Sequence, residues 1–130
     1  MADFRGILLT KAEDAVTAEI MDIDAGGLPE GEVQVRVLYS TLNYKDGLVL
    51  KGQGGLVRNY PHVPGIDLVG IVEDGGGSAF AAGDRVICTG WRVGEVWWGG
   101  YATRARLKAE WLVNPMTIVN SQVATFPIVI

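Results

Sequence analysis

Histidine and cysteine, the usual ligands of protein-bound zinc, are almost absent: the 130 residues include one of each, His62 and Cys88. These two residues cannot form the usual tetrahedral His/Cys zinc site, and no spacing typical of a calcium-binding loop occurs. Cys88 also has no partner for an internal disulfide, and it lies in an apolar stretch that predicts a buried, inert thiol. His62 lies between two prolines in NYPHVPG, where an exposed or capping loop histidine is a better interpretation than a metal ligand.

Basic residues and long apolar runs are also scarce. Eleven Lys and Arg face fifteen Asp and Glu, giving a formal net charge of −4, whereas nucleic-acid binding depends on clustered positive charge. The first residues, MADFRGILLTKAED, carry charge early and break their apolar run at Lys11. They resemble neither a secretory signal nor a membrane span of about twenty apolar residues. We therefore expect a soluble, cytoplasmic protein without nucleic-acid or membrane partners.

Helix signals are few, and the 18 glycines fall between short β-type runs. The clearest run is EVQVRVLYS, where valine alternates with polar residues as in a half-buried strand. The best helix candidate is the short stretch from Tyr44 to Lys51, which ends before Gly52. Many short strands with glycine-rich turns predict a mainly β barrel or sandwich. The other predicted strands are FRGILLT, VTAEIMDI, IDLVGIVED, DRVICT, YATRARLK and the final QVATFPIVI.

Several catalytic and nucleotide-binding motifs are missing. No GxSxG occurs, and the triple glycine 75–77 is followed by a strand, not by the helix that a dinucleotide fingerprint requires, so it predicts a turn. The remaining candidates for a functional site are polar side chains close to aromatic ones. The tryptophans 91, 97 and 98 either cover one end of a barrel, or line a pocket or docking face. The polar candidates are Asn43, Tyr44, Asp46, Asp67, Arg92 and Glu95.

Three stretches together carry a family resemblance: LPEGEVQVRVLYSTLNYKDGL, VPGIDLVG and GDRVICTGWRVGEVWWGGYATRARLKAEWLVNP. They resemble the N-terminal, GroES-like catalytic domain of medium-chain dehydrogenases/reductases, over residues 1–115. The pairing of LNYKD with GWRVGEVWWGG is most like the zinc-free quinone-oxidoreductase group, and within it the NADPH-dependent acrylyl-CoA reductases. The resemblance implies a partly open β-barrel with one or two short helices.

The resemblance also implies a site without metal. In zinc-dependent relatives a ligand Cys stands where this chain has Asn43, and a His-Glu pair stands where it has Ile66 and Asp67, while Asp46 is kept. With two ligand positions lost, a zinc mechanism is excluded.

In the family, NADPH delivers a hydride to the β-carbon of an enoyl thioester or to a quinone. The resemblance implies that Asn43, Tyr44 and Asp46 line that cleft. Tyr44 would stack on or hydrogen-bond the cofactor, and Asn43 would orient a carbonyl. Asp46 would hold this arrangement or route a proton, and satisfying the helix amides is an equal alternative. Arg92 is a candidate for an anionic part of substrate or cofactor, and Asn120 for a nicotinamide contact.

The domain expectation is one GroES-like domain over residues 1–130, with 1–115 as its catalytic part. Residues 116–130 resemble the segment that returns to the barrel after a nucleotide-binding Rossmann domain, which this chain does not contain. We therefore expect that the chain alone binds NADPH poorly and is inactive. The alternative is a cofactor-free β-barrel that binds a partner or forms a homodimer through an exposed apolar face.

Overall fold

The chain begins with a β-hairpin. A computed structural model describes residues 3–115. Strands β1 (Phe4–Ala12) and β2 (Ala15–Ile23) pair antiparallel, with Phe4 opposite Ile23 and Ala12 opposite Ala15. The charged turn KAED therefore connects two strands, as predicted.

A five-stranded antiparallel sheet forms the rest of the barrel, in the order β6-β3-β4-β5-β7. The predicted alternation places Val33 and Val35 in the core, and the other strands bury every second residue in the same way. The strands are β3 (Val33–Ser40), β4 (Asp67–Asp74), β5 (Arg85–Thr89), β6 (Arg104–Leu107) and β7 (Leu112–Val113).

Short helices occupy the connections. Helix α1 (Tyr44–Leu50) lies between β3 and β4, and the predicted helix is thus confirmed. Two 3₁₀ turns, Ala25–Gly27 and Ala109–Trp111, complete the elements. None of the helices in residues 3–115 is long and apolar enough to cross a membrane.

The hairpin joins the sheet through the segment before β6. Ile7 N–H donates to the Tyr101 carbonyl at 2.9 Å, and Thr103 N–H donates to the Arg5 carbonyl at 2.8 Å. On the other side, Leu9 and His62 exchange backbone hydrogen bonds of 2.7 and 3.0 Å. The hairpin and the sheet do not close into a complete ladder among these residues, which confirms the partly open β-barrel.

Three sequence predictions concern individual residues of this barrel. Cys88 is buried in the core, as predicted, and burial raises the pKa of its thiol to about 12. Gly76 lies in a left-handed turn, with its N–H bonded to Asp74 Oδ1 at 2.8 Å, so the turn at 75–77 is confirmed.

Of the two alternatives for His62, an exposed or a capping loop histidine, the exposed one is wrong. Its side chain is 2% exposed, because its backbone pairs with Leu9 and the loop 90–94 covers the ring. His62 Nε2 donates to the Gly94 carbonyl at 2.7 Å, and burial lowers the pKa of the imidazole.

Candidate functional site

Helix α1 begins directly after β3 and is anchored by a buried carboxylate. Asp46 is fully buried, and its Oδ2 accepts from the backbone N–H of Asn43 at 2.9 Å, the return bond of a capping box. Its Oδ1 accepts from the N–H of Ile66 at 3.0 Å. Burying a carboxylate is costly unless donors surround it. Asp46 therefore fixes the start of α1 to the segment that enters β4.

The side-chain amide of Asn43 is the centre of a polar cluster. Its Nδ2 lies 2.7 Å from Thr41 Oγ1, 3.1 Å from Asp67 Oδ2 and 3.3 Å from Asp46 Oδ2. The Thr41 hydroxyl in turn donates to Asp67 Oδ2 at 3.1 Å. We refer to Thr41, Asn43, Asp46 and Asp67 as the Asn43 cluster. One neutral amide thus bridges two carboxylates that arrive from different elements.

Tyr101 lies beneath the Asn43 cluster. Its hydroxyl donates to the Thr41 carbonyl at 2.7 Å, and burial, together with nearby Asp46 and Asp67, raises the pKa of the phenol. Sequence reasoning assigned no role to Tyr101 or Thr41. Thr41 could have been found from its place two residues before Asn43, where β3 has ended. Tyr101 gave no local signal, because it follows Thr41 by 60 residues.

Glycines allow the loop before Tyr101 to approach β4. Gly99 N–H donates to the Val63 carbonyl at 2.8 Å, and Gly100 N–H donates to the Gly65 carbonyl at 2.9 Å. Gly65 has a φ of +105°, and a Cβ there would lie 2.6 Å from the backbone nitrogen of Tyr101. Such contact between backbones requires glycine. This packing positions Tyr101 beside the start of α1.

Arg92 reaches α1 through a third acidic residue. The carboxylate of Glu95 is 8% exposed and lies 3.3 Å from Lys45 Nζ and 3.9 Å from Arg92 Nε. Trp91 and Arg92 both adopt left-handed backbone conformations, with φ of 58° and 59°. Both cations remain about half exposed. Glu95 therefore connects the loop that carries Arg92 to the helix that carries Tyr44.

Tyr44 projects from the first turn of α1 and is 84% exposed. It lies at a surface cavity of about 480 Å³. Gly47 opens the helix face there, because a Cβ at this position would meet no atom within 4 Å. The lining comprises Leu42, Asn43, Tyr44, Gly47, Leu48, Lys51 and Gln53. Asn43, the one member of the Asn43 cluster in this lining, thus lies beside Tyr44 at the cavity.

The tryptophans divide between two roles. Trp97 packs edge-on against Trp111 at 4.9 Å and donates its indole N–H to the Arg106 carbonyl at 2.7 Å. Trp98 donates to the Pro61 carbonyl at 3.2 Å. These two cover the barrel, as the first interpretation held. Trp91 remains 56% exposed while it stacks on Trp111.

The cavity leaves space for a flat ring such as nicotinamide. The helix surface is open at Gly47 beside Tyr44, and Asn43 is the polar member of the cluster that borders it. No glycine-rich phosphate cradle at a helix start occurs in residues 3–115, since the amide of Gly76 is bonded to an acid. In the same range no group of three or more His, Cys, Asp or Glu could hold a metal ion. Asn120 lies outside the described residues.

Comparison with known proteins identifies similar chains. The family described as the alcohol dehydrogenase GroES-like domain matches residues 29–117. Acrylyl-CoA reductase AcuI of Ruegeria pomeroyi is 49% identical over 112 residues, which are 85% of this chain and 34% of the reductase. The chain therefore spans about a third of the length of the curated relatives it matches.

Solved structures agree with this similarity. The yhdH oxidoreductase of Salmonella enterica, in complex with NADP, superposes with a TM-score of 0.82 at 42% identity, over 85% of this chain and 34% of the oxidoreductase. Protein yhfP of Bacillus subtilis, with NAD bound, gives a TM-score of 0.83 at 37% identity, over 88% and 35% of the two chains. Its name is that of a quinone oxidoreductase.

Proposed function

Because the chain belongs to the alcohol dehydrogenase GroES-like domain family, we propose that it supplies the substrate-facing domain of an NADPH-dependent reductase. The substrate class is an enoyl thioester such as acrylyl-CoA, or a quinone. The observation that carries this proposal is that Asn43, held by Asp67, and exposed Tyr44 line the same open cavity. The names of the similar proteins, and the NADP bound to one of them, support it.

The residues of the site have distinct tasks in this proposal. NADPH, when bound, supplies the hydride, and the protein supplies position and electrostatics. Tyr44 lies against the nicotinamide ring, on the face that Gly47 leaves open. Asn43 borders that face, Asp46 holds Asn43 in place, and Arg92 receives an anionic part of substrate or cofactor. Asn120 remains a predicted nicotinamide contact outside the described residues.

We also propose that residues 3–115 alone do not hold NADPH tightly. Affinity for a dinucleotide depends largely on donors to its diphosphate, and those residues offer no such cradle. The alternative, a cofactor-free self-associating module, is not favoured, since the named relatives are oxidoreductases.

Domain replacement tests the proposal. Residues 1–115 of this chain would replace the matching third of the Ruegeria pomeroyi reductase, and the NADPH-dependent reduction of acrylyl-CoA and of 1,4-benzoquinone would be followed by NADPH absorbance. We expect turnover with one of the two substrates. Tyr44→Ala should reduce it by roughly tenfold or more, the loss expected for one contact of about 1.4 kcal/mol.

Tyr39→Ala is the matched control, because Tyr39 is also exposed, at 61%, but lines a different cavity beside the hairpin. It should keep the parent rate. A replaced enzyme that folds and binds NADPH, yet reduces neither substrate, would refute the proposed function.

A further inference from the structure

The amide of Asn43 has fewer hydrogens than it has acceptors. Its Nδ2 carries two hydrogens, but three oxygens lie within 3.3 Å, from Thr41, Asp67 and Asp46. The reversed amide would direct Oδ1 at two carboxylates and at a hydroxyl that already donates to Asp67. The acceptors around Asn43 therefore determine which end of its amide faces inward.

Among residues 3–115, the carboxylate of Asp67 bonds only to the segment that carries Asn43. None of the ion pairs found between residues 3 and 115 includes it. Its only side-chain hydrogen bonds there come from Thr41 and Asn43, both in the connection between β3 and α1. The link of Asp67 to Ser40, at 2.6 Å, uses the backbone carbonyl and would survive a change of side chain.

We propose that Asp67, together with Thr41, is a positioning residue for Asn43. These acceptors, with Asp46, occupy both amide hydrogens. Oδ1 then faces the backbone N–H of Asp46 in the capping box and keeps its second lone pair as the position through which Asn43 meets a ligand. Asn43 then accepts a hydrogen bond from a ligand donor, such as a primary amide or a hydroxyl. It does not orient a substrate carbonyl, which needs a donor, and the sequence-based role of Asn43 is revised accordingly.

The ligand class rests on the proposed function, whereas the positioning role does not. Solvent exchange of the Asn43 side-chain hydrogens, measured by ¹⁵N–¹H NMR on the 130-residue chain, reads the positioning directly and needs no turnover. A chain with the expected exchange pattern but no reductase activity would refute the proposed function alone.

The decisive variants are Asp67→Asn and Thr41→Val. Each should accelerate exchange of at least one Asn43 side-chain hydrogen by about tenfold, since each weakens or removes one hydrogen bond. Thr41→Ser, which keeps the hydroxyl, should restore the parent rate. Asp22→Asn is the matched control, because that carboxylate is exposed on the hairpin and should leave Asn43 unchanged.

Exchange at Asn43 that stays at the parent rate in both folded variants would overturn the proposal. If Asp67→Asn does not fold, Thr41→Val decides alone, because it changes no charge. Faster exchange in Thr41→Val that Thr41→Ser reverses supports the positioning role, and an unchanged rate in Thr41→Val refutes it.

Discussion

At the scale of single residues, Asn43 lies between two carboxylates, a position where a cation would also be stable. Its amide donates to Asp46 and Asp67 without adding charge. A carboxylate in place of the amide would put three like charges together and leave their oxygens without those donors. Three carboxylates at this distance form a set of hard oxygen ligands. The identity of residue 43 therefore decides whether this cluster is a hydrogen-bonded or a metal-binding one.

Asn43→Asp tests this interpretation. We expect a loss of about 2–3 kcal/mol in the free energy of unfolding, from lost hydrogen bonds to charged groups. Millimolar Mg²⁺ or Ca²⁺ should recover part of it in the variant but not in the parent chain. Urea unfolding with and without the cation measures both effects. Asn59→Asp, in an exposed loop, is the control, and a variant at position 43 as stable as that control contradicts the interpretation.

His62 makes a second prediction at this scale. Burial lowers its pKa below the ordinary value of 6.5, so the unfolded chain binds a proton that the folded chain refuses. Stability is therefore complete above pH 6.5 and falls as the pH drops through 6.5 toward the folded pKa. Urea unfolding at pH 7.5 and 5.5 measures this loss. His62→Gln, which keeps an N–H donor but does not titrate, should lose this part of the pH dependence, because His62 is the only histidine. An identical pH dependence in the variant would count against this account.

At the scale of elements, the sequence predicted what depends on local pattern. Period-two alternation marked β3, and the short stretch before Gly52 marked α1. Contacts between distant segments could not be predicted from the sequence pattern. The approach of Gly65 to Tyr101 depends on glycine packing, and the burial of His62 depends on pairing with Leu9. The prolines that flank His62 suggested an exposed loop, but they give no information about which strand packs against that loop.

Helix α1 offers a prediction that separates stability from binding. Gly47→Ala should stabilise the chain by about 0.5–1 kcal/mol, because alanine is the better helix former and its Cβ meets no atom within 4 Å. The same methyl group narrows the face proposed for the nicotinamide ring, so the KM for NADPH of the domain-replaced enzyme should rise. Thermal unfolding and initial rates measure the two effects. Higher stability with an unchanged KM would show that the ring does not lie at Gly47.

At the scale of the whole molecule, the barrel presents several apolar side chains to solvent. Leu42 and Tyr44 border the cavity at α1, and Trp91 lies on the loop that α1 contacts through Glu95. Such exposed apolar side chains suit contact with a second domain, or, in the alternative interpretation, contact with a second copy of the chain.

Sedimentation equilibrium of the 130-residue chain tests the dimer. If the alternative holds, the chain self-associates and Leu42→Lys weakens that association, because a charge would enter an apolar contact. The control Ile20→Lys, at another exposed apolar residue on the hairpin, should not weaken it. A monomer at all concentrations would contradict the alternative.

Isotope transfer reveals whether this barrel positions a substrate for hydride transfer. The domain-replaced enzyme would be given acrylyl-CoA and NADPH that carries deuterium at the transferred C4 position, and the propionyl-CoA product would be analysed by mass spectrometry. We expect one deuterium per product molecule, at the β-carbon, and a strongly reduced yield in Tyr44→Ala but not in Tyr39→Ala. Product without deuterium would show that the hydride does not come from NADPH. A folded enzyme that binds NADPH but reduces neither acrylyl-CoA nor the quinone would contradict the proposed hydride transfer.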